Sequence, residues 1–211
     1  MISKKIENYT LLHTSDEDPL LHELYRETNL SVVYPRMLSG HLQGKILTLF
    51  SYMVNPTFIL EIGTYTGYSA ICLAKGLKPG GKLTTIEINP ELVDFARKYF
   101  DRSGLNHSIV QKTGNALDII PQLTIEWDLV FIDADKENYL NYYKMIIDQM
   151  RMGGFIIADN VLWDGKVLNS VDTQDKETRG ITEFNDFVQR DSRVENVLLP
   201  VRDGLMILRK I

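Results

Sequence analysis

One cysteine in 211 residues excludes an intramolecular disulfide framework. Cys72 lies among Ala70, Ile71, Leu73 and Ala74, the setting of a small buried hydrophobe rather than a nucleophile. No apolar stretch approaches the roughly 18 residues that a membrane span requires. The N-terminus, Met1-Ile2-Ser3-Lys4-Lys5-Ile6-Glu7, lacks the apolar core of a secretory signal, so a cytoplasmic protein with no membrane partner is expected. Positive charge is not in excess either. The formal net charge of −5 offers no broad basic face for nucleic acid, which makes such a partner an unfavoured expectation. The four histidines, His13, His22, His41 and His107, show no metal-ligand spacing. No repeat, low-complexity tract or Pro/Gly/Ser linker divides the chain, so residues 1–211 are read as one domain.

What is present is a regular alternation of helical and strand-like runs. Asp18-Pro19 opens a helix carrying Leu20, Leu21, Leu24 and Tyr25, since Asp caps and Pro is tolerated at the first helical position. Leu42, Ile46, Leu49, Phe50 and Met53 recur at helical spacing. These N-terminal helices, about residues 1–55, are expected to cover the cofactor and acceptor site described below. Strands are read over Thr57 to Glu61, Lys82 to Glu87, His107 to Lys112, Leu129 to Ile132 and Phe155 to Ala158. Helices lie between them: one through Leu77, one from Asn89-Pro90 to Gly104, one from Ala116 to Ile120 and one through Met150. Strands separated by helices imply right-handed crossovers. The fold expected is α/β and Rossmann-like, a seven-stranded, mostly parallel sheet with helices on both faces. Arg202-Asp203-Gly204 between two strand-like runs adds a C-terminal antiparallel hairpin. Asp164 to Gly180 reads as one long polar connection, of a kind that is usually functional or mobile.

The segment Glu61-Ile62-Gly63-Thr64-Tyr65-Thr66-Gly67 leaves a strand and enters a helix. Its glycines permit close approach of a ligand to the backbone. It is neither the Gly-x-Gly-x-x-Gly of a dinucleotide fold nor a phosphate loop, for no Lys-Ser/Thr follows. Glu87 ends the second strand about twenty residues on, where a carboxylate accepts hydrogen bonds from both ribose hydroxyls of a nucleoside. Glu61 would repel phosphate and attract an ammonium or sulfonium. Each acid also has a plainer reading, as the cap of a turn or a solvated strand end.

Two apolar runs end on acids: Leu129-Val130-Phe131-Ile132 on Asp133, and Phe155-Ile156-Ile157-Ala158 on Asp159-Asn160. If these are neighbouring parallel strands, three hard oxygen ligands meet at the sheet edge where open α/β folds bind ligands. Such a set suits Mg²⁺, Ca²⁺ or Mn²⁺ better than Zn²⁺. Helix capping is the rival for each residue. A calcium loop starting at Asp133 is excluded, because its sixth position is Asn138 and its twelfth is Lys144. Tyr139, Tyr142 and Tyr143 are read as core or dimer packing. Trp163 is read either as a wall for an aromatic acceptor or as a cap over the sheet edge.

Ile59 to Ser69, Asp128 to Tyr139 and Asp159 to Trp163 resemble the cation-dependent class I O-methyltransferases that use S-adenosylmethionine. The caffeoyl-CoA branch is the nearer and catechol O-methyltransferase the more distant, over about Met37 to Ile211. The resemblance implies that Ser39, Glu61, Gly63, Thr64, Ser69, Glu87, Ala116 and Asp133 line the S-adenosylmethionine site. It implies that Asp133, Asp159 and Asn160 hold the metal, and that Lys136, with Asp133, is catalytic. A homodimer and a small hydroxylated acceptor also follow from it. The alternatives are a methyltransferase for a hydroxylated uridine in tRNA, and a non-catalytic nucleoside-binding module. Asp164 and Arg202 stand where the caffeoyl-CoA enzymes usually have Asn and Gly, both near the expected acceptor mouth, so a coenzyme A thioester is not carried over as substrate.

Overall fold

The computed structural model describes residues 4–170 and 175–211. Residues 1–3 of the N-terminal segment and 171–174 of the polar connection lie outside the described residues. Three helices come first: α1 (Lys4–Leu12), α2 (Pro19–Ser31) and α3 (Gly40–Val54). There follow β1 (Phe58–Ile62), α4 (Tyr68–Ala74), β2 (Lys82–Glu87), α5 (Val93–Arg102), β3 (Ile109–Thr113), α6 (Ala116–Ile119) and β4 (Trp127–Ile132). The chain ends with α7 (Tyr139–Ile146), β5 (Met150–Asp159), α8 (Lys176–Arg190), β6 (Val194–Leu199) and β7 (Leu205–Lys210).

The seven strands form one sheet in the order β3-β2-β1-β4-β5-β7-β6. Pairing is parallel from β3 to β5 and antiparallel where β7 joins β5 and β6. The strand order reverses between β1 and β4, which makes their carboxyl ends the switch point at which such sheets bind ligands. Strand alternation splits the core in two. Ile59, Leu129, Phe131 and Ile157 pack beneath α2 to α5, whereas Leu60, Ile62, Val130 and Ile132 pack against α7 and α8. All six residues of β4 are buried, as a central strand covered on both faces requires. Asp128 pins its start by accepting the Thr57 and Phe58 N–H groups at 2.7 and 2.8 Å.

Local chemistry accounts for the boundaries. Asp18 caps α2 by accepting the Leu20 N–H at 2.9 Å, with Pro19 at the first helical position. The helix expected to reach Met150 ends at Ile146 and tightens into a 3₁₀ turn over Ile147–Gln149, so that Met150 opens a ten-residue β5. Nor is the helix from Gly67 as long as expected, since it ends at Ala74. Periodicity places Leu49 and Met53 on α3, but their side chains face outward, 55% and 72% exposed.

The polar connection is the main correction. Its described part is not structureless: a kinked 3₁₀ segment runs over Trp163–Leu168, and α8 begins at Lys176. Asp175 caps α8 by accepting the Thr178 N–H at 2.7 Å, and Ile181, Phe184 and Val188 are its buried stripe. Gly180 sits where α8 crosses the 3₁₀ turn Lys136–Asn138, and a Cβ there would lie 2.5 Å from the Lys136 carbonyl oxygen.

In most helix interiors Gly→Ala stabilises by up to about 1 kcal/mol. At Gly180 the sign should reverse. We expect Gly180→Ala to lower stability by about 1–3 kcal/mol, as overpacking does, read from the urea midpoint. A raised midpoint would show that α8 does not rest on the Lys136 turn.

Candidate active site

A cavity of about 1010 Å³ opens along the carboxyl ends of β1, β2 and β4. It is roomy enough for a nucleoside and a second small molecule together. Ser39, Gly63, Thr64, Ser69, Glu87, Ala116 and Asp133 line it, as do Lys136, Asp159, Asn160, Trp163 and Arg202. Of the N-terminal segment, residues from Ser31 to Ser39 contribute and α1 does not. Asp164 was expected at the acceptor mouth. Instead it is a turn residue with φ of 53° that does not line this cavity, and its N–H donates to Asp203 Oδ1 at 2.6 Å.

The strand ends approach closely because Gly63 has no side chain. At its φ of 100° a Cβ would fall 2.0 Å from the Asp133 carbonyl oxygen. Asp133 in turn donates its N–H to Ile62 at 2.9 Å, extending the β1–β4 pairing to the acid. β4 and β5 are adjacent and parallel, with Ile132 opposite Ala158, and this register sets Asp133 beside Asp159.

On the cofactor side, Glu61 is fully buried behind the lining rather than in it. Thr85 donates to its Oε2 at 2.5 Å and Thr64 meets Thr85 at 2.5 Å, while the Ser69 hydroxyl is close to the carboxyl but makes no well-formed hydrogen bond to the buried Glu61 Oε1. Burial, with the charges of Asp133 and Glu87 adding to it, pushes the Glu61 carboxyl up to about 8. A buried acid short of one partner fits a cationic ligand group. Glu87 lines the cavity and also caps, accepting the Tyr65 N–H at 2.7 Å and the Asn89 N–H at 2.9 Å. The nucleoside and capping readings of this residue therefore coexist.

On the acceptor side Asp159 is buried, and its carboxyl is pushed up to about 6, first by burial and then by Asp133. Lys136, also buried, donates to Asp133 Oδ1 at 3.0 Å and to the Tyr139 hydroxyl at 2.5 Å. It lies 4.7 Å from the centre of the Tyr139 ring and 5.8 Å from that of Trp163. Tyr139 in turn donates from its hydroxyl to the Asp159 carbonyl at 3.0 Å. It is thus a support of the site as well as a core residue. Trp163 walls the cavity, and its indole N–H is buried without a partner. Gln43 escaped sequence reading altogether. Nothing in a helical stripe marks it, yet it is buried and donates to Asp159 Oδ2 at 2.5 Å.

The O-methyltransferase family model matches residues 12–211. Caffeoyl-CoA O-methyltransferase 1 of Nicotiana tabacum is 35% identical over 180 residues, covering 80% of this chain and 75% of that protein. The Petroselinum crispum caffeoyl-CoA O-methyltransferase is 31% identical, covering 95% and 89%. Among solved structures, the O-methyltransferase TomG from Streptomyces achromogenes, in complex with SAM, superposes with a TM-score of 0.91 at 29% identity, covering 100% and 99% of the two chains. The Bacillus cereus O-methyltransferase in complex with SAH gives 0.90 at 31%, covering 98% and 97%.

The buried acids set a pH dependence. Glu61 ionises near 4.5 in the unfolded chain and near 8 in the folded one, so the folded state binds the extra proton between those values. Stability then falls as pH rises from about 4.5 to 8, by at most roughly 1.4 kcal/mol per unit, and levels off above. Asp159 adds a loss of the same sign between 3.8 and about 6. Urea unfolding of ligand-free Glu61→Gln should show its advantage over the wild type growing from pH 5 to pH 8. An advantage that stays constant across that range would contradict a neutral Glu61.

Proposed function

The chain belongs to the O-methyltransferase family, and from that premise we propose that it moves the methyl group of S-adenosylmethionine to one oxygen of a catechol-like or other vicinal acceptor. The acceptor is held by a divalent cation, Mg²⁺ before Ca²⁺ or Mn²⁺. The observation that carries this reading is the meeting of Asp133, Asp159 and Asn160 on adjacent strand ends, with Lys136 in the same cavity.

Support for the methyl donor comes from the unpartnered Glu61 oxygen and from relatives in complex with SAM or SAH. In this reading Ser39, Gly63, Thr64, Ser69, Glu87 and Ala116 wall the donor, Glu61 gives up its proton as the cationic donor binds and then balances that charge from behind, and Asp133 stands between donor and acceptor. S-adenosylmethionine supplies a methyl group that is already electrophilic, which leaves the protein to align an oxygen nucleophile and exclude water.

The metal reading rests on the donor set. Among the described residues no group of three His, Cys, Asp or Glu could hold an ion, so this reading depends on the Asn160 amide as the third ligand. Asn160 lines the cavity, and its side chain makes no hydrogen bond to a described residue. The Asp159 carboxyl is pushed up first by burial and then by the nearby Asp133 charge, and a cation would offset both. Two carboxylates and an amide are hard oxygen donors. A cation held by these residues would lower the pKa of a chelated hydroxyl, which is otherwise near 10 for a phenol.

Lys136 adds a second positive charge on the acceptor side. Its ammonium is held between Asp133 and Tyr139, so its role is to favour an anionic acceptor oxygen and fix its position. A nucleoside-binding module without catalysis has no use for this lysine. A tRNA acceptor would need a clustered basic face, which a net charge of −5 does not favour. A homodimer, the assembly the resemblance implies, would cover Leu49, Tyr52 and Met53, which α3 leaves exposed.

Activity with catechol and labelled S-adenosylmethionine should disappear in EDTA and return with Mg²⁺. Full turnover in rigorously metal-free enzyme would sink the metal reading. Asp159→Ala should lower kcat by at least 100-fold, on the scale of lost charge stabilisation, while S-adenosylhomocysteine affinity measured by calorimetry changes little. Parallel losses in both would place Asp159 in the donor site instead.

A further inference from the structure

Arg202 lies in the turn between β6 and β7, with φ of 51°, and lines the cavity. Its guanidinium donates to the Ser39 carbonyl and to Gln43 Oε1, and lies 3.5 Å from the Leu38 carbonyl. All three acceptors are neutral oxygens. A guanidinium only donates, so the atom of Gln43 that faces it must be the amide oxygen. The Gln43 NH₂ group is therefore turned the other way, toward Asp159 Oδ2 at 2.5 Å. Asp159 Oδ1 accepts the Asn160 N–H at 2.8 Å, so both carboxylate oxygens are held by donors. Gln43 and Asp159 are 1% and 3% exposed, and water does not compete for these bonds.

We infer that Arg202 is a positioning residue for methyl transfer: through the amide of Gln43 it fixes the Asp159 carboxylate, and through the Ser39 carbonyl it fixes the wall of the donor site. Three segments far apart in the chain, at residues 38–43, 159 and 202, are joined by this single side chain. The donor pocket and the acceptor-side carboxylate are thus set by one group. The functional half of the inference rests on the reading of Asp159 given above. The geometric half does not.

The test uses full-length Arg202→Ala, Arg202→Lys, Gln43→Leu and the Arg202→Ala/Gln43→Leu double variant. The Gln43 side-chain NH₂ resonance pair, identified by its loss in Gln43→Leu, should shift in Arg202→Ala without metal or substrate present. With catechol as acceptor, Arg202→Ala and Gln43→Leu should each lower kcat about tenfold, the scale for a residue that orients a metal ligand. The double variant should lose no more than either single, because both break one chain of contacts. Only variants of Arg202 should also raise the KM for S-adenosylmethionine, since only they release Ser39. Arg202→Lys, able to keep one acceptor, should recover part of kcat. An unmoved Gln43 resonance in Arg202→Ala, or losses that multiply in the double variant, would overturn the inference. A wild type that methylates no diol would end the reading of the acceptor; the Gln43 resonance then decides the relay alone, a shift supporting it and its absence overturning it.

Discussion

Three carboxyl groups, those of Glu61, Asp133 and Asp159, stand at the ends of three adjacent strands, with Glu61 and Asp159 almost entirely out of water. Burial raises the proton affinity of Glu61 and Asp159, and the charge of Asp133 raises it further. The rest of the site answers that problem. Lys136 brings the compensating ammonium to Asp133, Thr85 donates to Glu61, and Gln43 and the Asn160 N–H donate to Asp159. Each donor satisfies one oxygen, yet together they do not balance the charge, and Glu61 Oε1 is left unpaired. An edge built in this way favours cationic ligands at both ends. The proposed sulfonium donor on one side and the proposed metal-held acceptor on the other would match that demand.

The supports of these groups are shared. Tyr139 accepts from Lys136 and donates to the Asp159 carbonyl, so the lysine cannot shift without disturbing the end of β5. Gly180 lets α8 press on the backbone of the Lys136 turn, while Phe184 of the same helix packs edge-on against the Tyr139 ring at 5.7 Å. The position of Lys136 is therefore set by core packing on the α8 face of the sheet. Packing of this kind gives a functional side chain one well-defined place.

What could be read from sequence follows from distance along the chain. Asp133 and Asp159 were visible because buried parallel strands are unbroken apolar runs, so the acid that ends one marks the sheet edge. The glycine turn and Glu87 were visible for the same reason, each lying next to a strand end. The two corrections to helix ends involve a 3₁₀ turn and a short segment whose hydrophobic period does not change at the boundary. The start of α8 was hidden by its polar first turn, although Asp175 and the Ile181, Phe184, Val188 spacing carry the signal. Gln43 and Arg202 have no local signature. Their partners lie 116 and 159 residues away, and only the folded chain brings them together.

The hairpin outside the parallel sheet has a larger part than its place suggests. Asn160, Trp163 and Asp164 all adopt left-handed backbone conformations, which for side chains of this size cost on the order of 1–3 kcal/mol each. The turn after β6 holds them there. The Val161 N–H donates to the Gly204 carbonyl at 3.2 Å, the Leu162 N–H to the Asp203 carbonyl at 2.9 Å and the Asp164 N–H to the Asp203 carboxylate. The same turn sends Arg202 across to Ser39 and Gln43. A site whose acids come from parallel strands is thus closed by an antiparallel appendage, which fixes the loop carrying Asn160 and Trp163 on one side and the donor wall on the other. Through Arg202 and Gln43 this turn also reaches the carboxylate that ends β5, so a change in it is felt by the strand end as well as by the donor wall.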